Sequence, residues 1–571
     1  MTKPRPPEGG TTCGERRWLP FAIIIAACAL AHLWCLGSQF YLDDKINILE
    51  SDVVLTGDIR HIGFLSWTFN WYHIQYLMFG LSSVGFHAVN WLLHTANACI
   101  LFAFARDFMR GRYHPNVALF GALFFSVHPL ASEIPNYART QDLAWVTLFS
   151  TGAAWAMLRF QQQGGWWKLA LCLLCVALAT ISKGPGIIHA LLPVAAIGVA
   201  FRYSSNSRLT LRRQFLLGIG VMAFTIAGLW LSGVGGYVFN LFHPWSDPRF
   251  AGHGFTLARV FWEFSWRAVI PVALSADHHI AETMIPAGAP IWAIPDHIAM
   301  FAAVSMLALT GFSLWLTWRK SSRLIGICLF LFVATILFRV FFPVPEFMPE
   351  YRIYPGLPWF CLAAAMLLAS LWGWMFKTVS PRVLAVAILV LFALLSAKRS
   401  FQWHDLGRLT ADTLRQYPTQ ARAIWELQGR DVAAGKWQAV IDRQRQDFPW
   451  VKERFIDSLK HSLPARELPT GHFALSEVGS TGCYALALAH QVNPLAGLAE
   501  IARLENLMKS LRIERDSNRT IWDTFDHYKG LVLETAGKYE AAAAVLRGED
   551  ISNERRRDLE RVERKLAESK L

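Results

Sequence analysis

Tyr41-Leu42-Asp43-Asp44-Lys45 follows directly on the first long apolar run of the chain, Trp18–Gly37. That run is about 20 residues, the length a helix needs to cross a bilayer. It is longer than the apolar core of a secretory leader and lacks a small-x-small cleavage site, so it reads as an uncleaved first span. Residues 1–17 before it are polar and rich in Pro and Gly, with Lys3, Arg5, Arg16 and Arg17, and read as a cytoplasmic tail. Two adjacent carboxylates therefore stand where the chain first emerges from the membrane. Acidic pairs at such a place call for a chemical explanation.

The wider chain supports a membrane setting. Of its 571 residues 54% are hydrophobic and only 17% charged, with 24 Trp and 39 Phe, rings that favour the interfacial belts. Further apolar segments run over 80–105, 116–130, 141–159, 166–181, 187–201, 214–233, 297–318, 323–342, 356–376 and 382–397. This predicts about eleven spans and an all-α polytopic protein. The net charge of +13 is concentrated in short loops such as Arg106–Arg112, Arg202–Arg213 and Arg319–Arg323, where it reads as a topology signal and not as a nucleic-acid footprint. These basic loops fall on the cytoplasmic side, which places Asp43 and Asp44 outside, together with everything after Lys398.

The outer loops hold most of the remaining chemistry. The second reads HPLASEIPNYARTQD over His128–Asp142, with Glu133, Arg139 and Asp142. The third contains Lys183-Gly184-Pro185-Gly186. The fourth, 234–296, includes FTLARVFWEFSWRAVIPVALS, in which Arg259, Glu263 and Arg267 recur every four residues and so share one helical face. Three charges at bilayer depth are costly, so this predicts an amphipathic helix on the membrane surface. The fifth loop, PVPEFMPEYRIYPG, carries Glu350, Arg352 and Tyr354.

From Lys398 to Leu571 the chain is charged and helical, enough for one domain. AAGKWQAVIDRQRQDFP (433–449) resembles TAGKYEAAAAVLRGED (535–550). Gly435 and Gly537 are separated by about three times the ~34-residue period of tetratricopeptide repeats, which points to a TPR-like helical-hairpin module. The domains expected are thus a tail (1–17), a membrane domain (18–397) and an outer helical module (398–571).

Other candidates read more simply. Cys172-x-x-Cys175 lies in LALCLLCVALA with no basic neighbour to lower a thiol pKa, so its sulfurs read as packing groups. His87 and His94 are expected to hydrogen-bond within the bundle, and His128 to end the third span as a hydrogen-bonder or a ligand. Asp277, His278 and His279 are potential ligands for a divalent metal, but adjacent side chains rarely converge on one ion. No cofactor is called for by the sequence.

With these residues placed, the chain resembles the glycosyltransferase C (GT-C) superfamily, nearest in pattern to TMTC-type O-mannosyltransferases and their bacterial relatives. FYLDD after the first span, FHAVNWLLH (86–94) and HPLASEIPNYARTQDL carry the resemblance. FWEFSWRAVIPVALSADHH (261–279), Glu350–Pro355 and Trp403–Pro418 continue it. The resemblance implies transfer of a sugar from a polyprenyl-phosphate donor, undecaprenyl or dolichyl, to a protein or glycan hydroxyl on the outer side, with inversion. It also implies a bacterial inner membrane with the site facing the periplasm, and an acceptor docked on the helical module. Lys183 is followed by Gly184 where an acidic residue is the family pattern, and the module is shorter than a long repeat array, which leaves donor sugar and acceptor open.

Such a reaction needs a base for the acceptor hydroxyl and cations for the departing phosphate. Asp44 is slightly preferred as base, with Asp43 as its partner or a sugar ligand. Arg139, Lys183 and Arg352 are the phosphate candidates, since each stands near a span end. Glu133, Asp142, Glu350, Tyr354 and His279 are expected to bind sugar or support the cations. A Wzy-like polymerase or oligosaccharide ligase would concentrate its basic groups in one large late loop. A lipid or solute transporter would place charges within its spans and show two related halves.

Overall fold

Residues 18–57, 67–183, 185–202, 248–278, 297–337, 348–375, 380–417, 420–445, 472–510, 513, 515, 519–548 and 553–570 are described in the computed structural model. Their regular structure is entirely helical. Numbered in chain order, the longer helices of the membrane part are α1 (Leu19–His32), α2 (Trp67–Phe79), α3 (Ser83–Phe108), α4 (Pro115–Ser126), α5 (Gln141–Gln163) and α6 (Trp166–Ser182). They continue with α7 (Gly186–Arg202), α8 (Pro248–Val269), α9 (His297–Trp318), α10 (Arg323–Leu337), α11 (Leu357–Met375) and α12 (Pro381–Gln402).

A helix stands at every predicted span except 214–233, which lies outside the described residues. Four of them are long and apolar enough to cross a bilayer alone: Leu19–Gly37, Ser83–Phe108, His297–Trp318 and Arg382–Gln402. Pro115–Ser126 and Pro129–Asn136, bent by 52°, make a fifth if counted as one span. Trp166–Ser182, Gly186–Phe201, Arg323–Leu337 and Leu357–Trp372 are apolar but shorter. Helix α5 is long enough, yet Asp142, Thr147, Ser150, Thr151 and Gln161 are buried along it, so it is an inner helix of the bundle. The chain is an all-α, multi-pass membrane protein.

One hydrophobic core unites these helices, from Ile24 and Cys28 of α1 to Phe392 of α12. Helix α5 packs on α3, α6 and α7, α11 lies between α4 and α10, and α12 returns to α1. Gly186 opens α7 against α6. A Cβ there would stand 2.0 Å from the Ala179 carbonyl oxygen, so only glycine allows the backbones to pass.

The polar residues of FHAVNWLLH support the His128–Asp142 loop. Asn90 Nδ2 donates to the carbonyls of Ile134 (2.8 Å) and Tyr137 (3.0 Å). Gln141 Nε2 donates to Asn90 Oδ1 at 2.6 Å, and Gln75 Nε2 to Gln141 Oε1 at 2.7 Å. His87 Nδ1 lies 3.0 Å from the Pro135 carbonyl. His128 accepts the Leu130 N–H (3.2 Å) on Nδ1, so Nε2–H donates to the Ala268 carbonyl at 2.9 Å. These histidines serve as hydrogen-bonding struts, as expected for His87. Each such bond contributes about 1 kcal/mol, and a partner left unpaired would cost more. The loop is therefore fixed rigidly enough to hold chemistry.

Helix α8 is amphipathic, as its four-residue charge spacing predicts. Leu257, Val260, Phe261 and Phe264 are buried, whereas Trp262, Trp266 and Val269 are exposed. Arg267 pairs with Glu263 one turn earlier.

The C-terminal helical module comprises, among the described residues, α13 (Leu406–Gln416), α14 (Ala421–Ala433), a helix over 437–445, α15 (His472–Gln491), α16 (Pro494–Ser510), α17 (Arg519–Thr535), α18 (Tyr539–Leu546) and α19 (Asn553–Ser569). Because α12 runs on to Gln402, the helix crosses the boundary predicted at 397. Gly435 and Gly537 both adopt the left-handed conformation, φ 67° and 70°. Each ends one helix and admits the next at Trp437 or Tyr539, so the two similar stretches are the same helix-turn-helix corner.

Candidate functional site

The described parts of the five loops converge, tied by side-chain bonds to backbone and to one another. Leu42 is one of two described non-glycine residues with positive φ, at 53°. This strained corner sends the two aspartates apart. Asp44 turns inward and is fully buried, its Oδ1 accepting the Arg139 N–H at 2.7 Å and its Oδ2 the Tyr41 N–H at 3.2 Å. Burial pushes its carboxyl up to about 8, against those N–H groups and with some help from neighbouring Asp43. Asp44, the slightly preferred base, thus stands away from the cavity that Asp43 lines. Both its oxygens are occupied by backbone, and solvent does not reach it.

Asp43 turns outward into a small solvent-open cavity lined also by Glu133, Tyr137, Asp277, Tyr351 and Arg422. Its N–H donates to the Tyr137 phenol oxygen (3.1 Å), and its carbonyl accepts Asn47 Nδ2 (2.8 Å). The Arg422 guanidinium holds Oδ1 at 2.8 Å. Among the described residues Oδ2 accepts no hydrogen bond. One carboxylate oxygen is thus fixed and the other faces the cavity.

Through Arg139 the acidic loop meets the predicted cations. Arg139 Nη1 and Lys183 Nζ both bind Asp142 Oδ2, at 3.0 and 2.7 Å. Burial, with the positive charges of Arg139 and Arg352, lowers the Lys183 ammonium below its ordinary pKa although Asp142 opposes this. The three phosphate candidates thus form one electrostatic group. Asp142, which pairs with both Arg139 and Lys183, is almost fully buried. The Tyr72 hydroxyl donates to the Arg139 carbonyl at 3.0 Å, which fixes the backbone beneath.

Glu133 and Glu350 join loops. Glu133 Oε2 accepts the Tyr351 N–H at 2.6 Å, linking the second loop to the fifth. Glu350, fully buried, takes the Ser275 N–H at 2.8 Å and faces His278 Nε2 at 2.7 Å on the same Oε1. Its other oxygen is 3.7 Å from Arg399 Nη2. Glu350 therefore braces the fourth and fifth loops and is not among the residues that line the cavity. Tyr354, just after the short helix at Glu350–Ile353, is buried in the bundle, its hydroxyl 2.8 Å from His94 Nδ1. His279 lies outside the described residues. His278 is committed to Glu350 and Tyr417, and among the described residues no three His, Cys, Asp or Glu side chains are placed to hold a metal ion.

Sequence reading missed Tyr137, Tyr351 and Arg422 as cavity residues. Tyr137 and Tyr351 both stood inside quoted motifs. Arg422 stands in TQARAIWELQ, which carries no local signal.

No protein-family model matches the sequence. A protein O-mannosyl-transferase of Caenorhabditis elegans is 22% identical over 446 residues, 74% of this chain and 61% of that relative, so the chain spans about three fifths of the relative's length. The crystal structure of ArnT from Cupriavidus metallidurans bound to undecaprenyl phosphate aligns with 93% of this chain and 80% of its own, at 13% identity and a TM-score of 0.38, a superposition too loose to assign the fold. The ordered motifs, the helical membrane architecture and the similarity to an O-mannosyl-transferase along three quarters of the sequence agree: this chain resembles the membrane glycosyltransferases of the GT-C superfamily.

Proposed function

We propose that the protein transfers a sugar from a polyprenyl-phosphate donor to a hydroxyl of a protein or surface glycan on the extracytoplasmic face, with Asp43 as the base. Asp43 Oδ2 takes the acceptor proton as the acceptor oxygen bonds to the anomeric carbon. The bond from that carbon to the phosphate oxygen breaks on the opposite face, which inverts the configuration. The lipid phosphate leaves with one more negative charge than it carried in the donor. Arg139, Lys183 and Arg352 meet that charge, which is where fixed cations accelerate a reaction most. Asp142 keeps Lys183 and Arg139 in position, and Asp44 and Glu133 hold the loops that carry them.

The observation that carries this reading is the direct connection of the two halves of the site. The carboxylate next to Asp43 bonds the backbone of Arg139, whose guanidinium belongs to the Lys183 group. Base and phosphate site are thus set in register by one rigid corner. The resemblance to the O-mannosyl-transferase makes mannose the first sugar to test. Residues 18–397 form the catalytic domain in this reading, and 398–571 the outer module, in a bacterial inner membrane with the site facing the periplasm.

The test is intact-mass spectrometry of extracytoplasmic glycoproteins and glycans from a deletion strain complemented with wild type, Asp43→Asn or Asp44→Asn at matched expression. Loss of a hexose- or pentose-sized mass in the deletion and in Asp43→Asn is the expected result. If the deletion changes no glycan, the glycosyltransferase reading fails. If Asp43→Asn restores every glycan, Asp43 is not the base.

A further inference from the structure

Arg422 belongs to the outer module, yet it lines the same cavity as Asp43 and binds that carboxylate at 2.8 Å. It stands in the first turn of α14, Ala421–Ala433, where a positive side chain opposes the helix dipole and is unfavourable by a few tenths of a kcal/mol or more. That local cost is offset by Asp43 across the domain junction and by Glu426 one turn along α14. A second strap, Lys45 Nζ to Glu554 Oε2 at 2.6 Å, joins the same acidic loop to α19 outside the cavity. Trp403 at the junction is fully buried and stacks on Tyr137. The module is therefore seated on the loop that carries Asp43, and the loop on the module.

Resting on the reading of Asp43 as base, we infer that Arg422 is a positioning residue of the reaction, supplied by the helical module. Its guanidinium fixes Asp43 Oδ1, so that Oδ2 is aimed at the acceptor hydroxyl, and the site is incomplete until the module is docked. A base held on one oxygen has a single productive orientation. A base left to rotate about its side-chain bonds loses that alignment, and misplacement of about 1 Å costs on the order of 100-fold in rate. A module that presents the acceptor and also orients the base couples the two events, so that the donor is not spent on water when the module is displaced.

The experiment uses full-length Arg422→Ala, Arg422→Lys, Glu554→Gln and Asp43→Asn in right-side-out membrane vesicles from the deletion strain, with sugar incorporation into endogenous acceptors as the rate. Undecaprenyl phosphate binding to each purified variant, read by tryptophan fluorescence, reports whether the donor site is intact. Arg422→Ala is expected to slow turnover by about 100-fold while undecaprenyl phosphate binding stays within about 2-fold, and added guanidinium is expected to restore part of the rate. Arg422→Lys should fall between, and Glu554→Gln within about 3-fold of wild type, as befits a surface pair. The inference is overturned if Arg422→Ala turns over normally, if neither guanidinium nor Arg422→Lys recovers activity, or if Glu554→Gln loses as much as Arg422→Ala. Asp43→Asn separates the two failures. If it is active, the base assignment and the inference fall together; if it is inactive and Arg422→Ala is normal, only the inference does.

Discussion

Asp44 leads to a prediction in which stability falls as pH rises. Its carboxyl is fully buried, and burial lifts the pKa from the ordinary 3.8 to about 8 despite the N–H groups of Tyr41 and Arg139. The unfolded chain releases this proton near pH 4, whereas the folded chain retains it up to about pH 8. Between those limits the native state holds one proton more than the unfolded state, so its stability declines by about 1.4 kcal/mol per pH unit. The contribution is fully present below about pH 4 and is lost as the pH passes through about 8. From pH 6 to pH 8 the loss amounts to about 2 kcal/mol. Asp44→Asn removes the titration. Its carboxamide nitrogen then faces one of the two N–H donors, so the variant is less stable at low pH, and the slope rather than the absolute value is diagnostic. Equilibrium unfolding in mixed micelles by SDS titration, followed by tryptophan fluorescence at several pH values, gives both slopes. Subtracting the variant cancels the other titrating groups. A difference that is flat, or that shows the wild type gaining stability toward pH 8, would refute the reasoning.

Other substitutions test the architecture more simply. Asp142→Ala strands Lys183 and Arg139 without their shared carboxylate, so unfolding should be easier by about 3 kcal/mol or more and undecaprenyl phosphate binding should change with it, both measurable on purified protein. Gly186→Ala drives a methyl group into the Ala179 backbone; a loss of at least about 3 kcal/mol, or failure to insert, is expected by expression and melting. Gly537→Ala meets open space but keeps a positive φ, and should lower stability by only about 1 kcal/mol. Tyr354→Phe removes the partner of His94 Nδ1, which should cost about 1–2 kcal/mol of stability while the turnover of the surviving folded protein stays close to wild type.

How much of this was legible in the sequence depended on the range of the interaction. Apolar runs locate helices because each helix satisfies its own backbone and needs only length and hydropathy to be recognised. The membrane helices outside 214–233 therefore stand where the runs predicted. The span number is a different matter, since α5, long but studded with polar groups, shows its place only through its neighbours. The similar stretches around Gly435 and Gly537 were also readable, because a left-handed glycine between two helices is a local property.

The site divides along the same line. Motif order identified Asp43, Arg139, Asp142 and Lys183 as candidates, and they share one corner of the molecule because short loops tie each to a span end. Which aspartate faces the cavity was decided by tertiary structure alone. Asp43 and Asp44 are the same residue type one position apart, and only the left-handed corner at Leu42 and the Arg139 N–H determine which is buried. Tyr354 and Glu350 part for a similar reason: a single short helical turn aims one into the bundle and the other at Ser275 and His278. Arg422 had no signal in its own neighbourhood, because its meaning depends on a carboxylate nearly four hundred residues away. The sequence by itself determined the membrane-embedded helices and the chemistry available at their outer ends; only the packing of loops and module decided which of those groups face one another, since long-range contacts leave no periodicity behind.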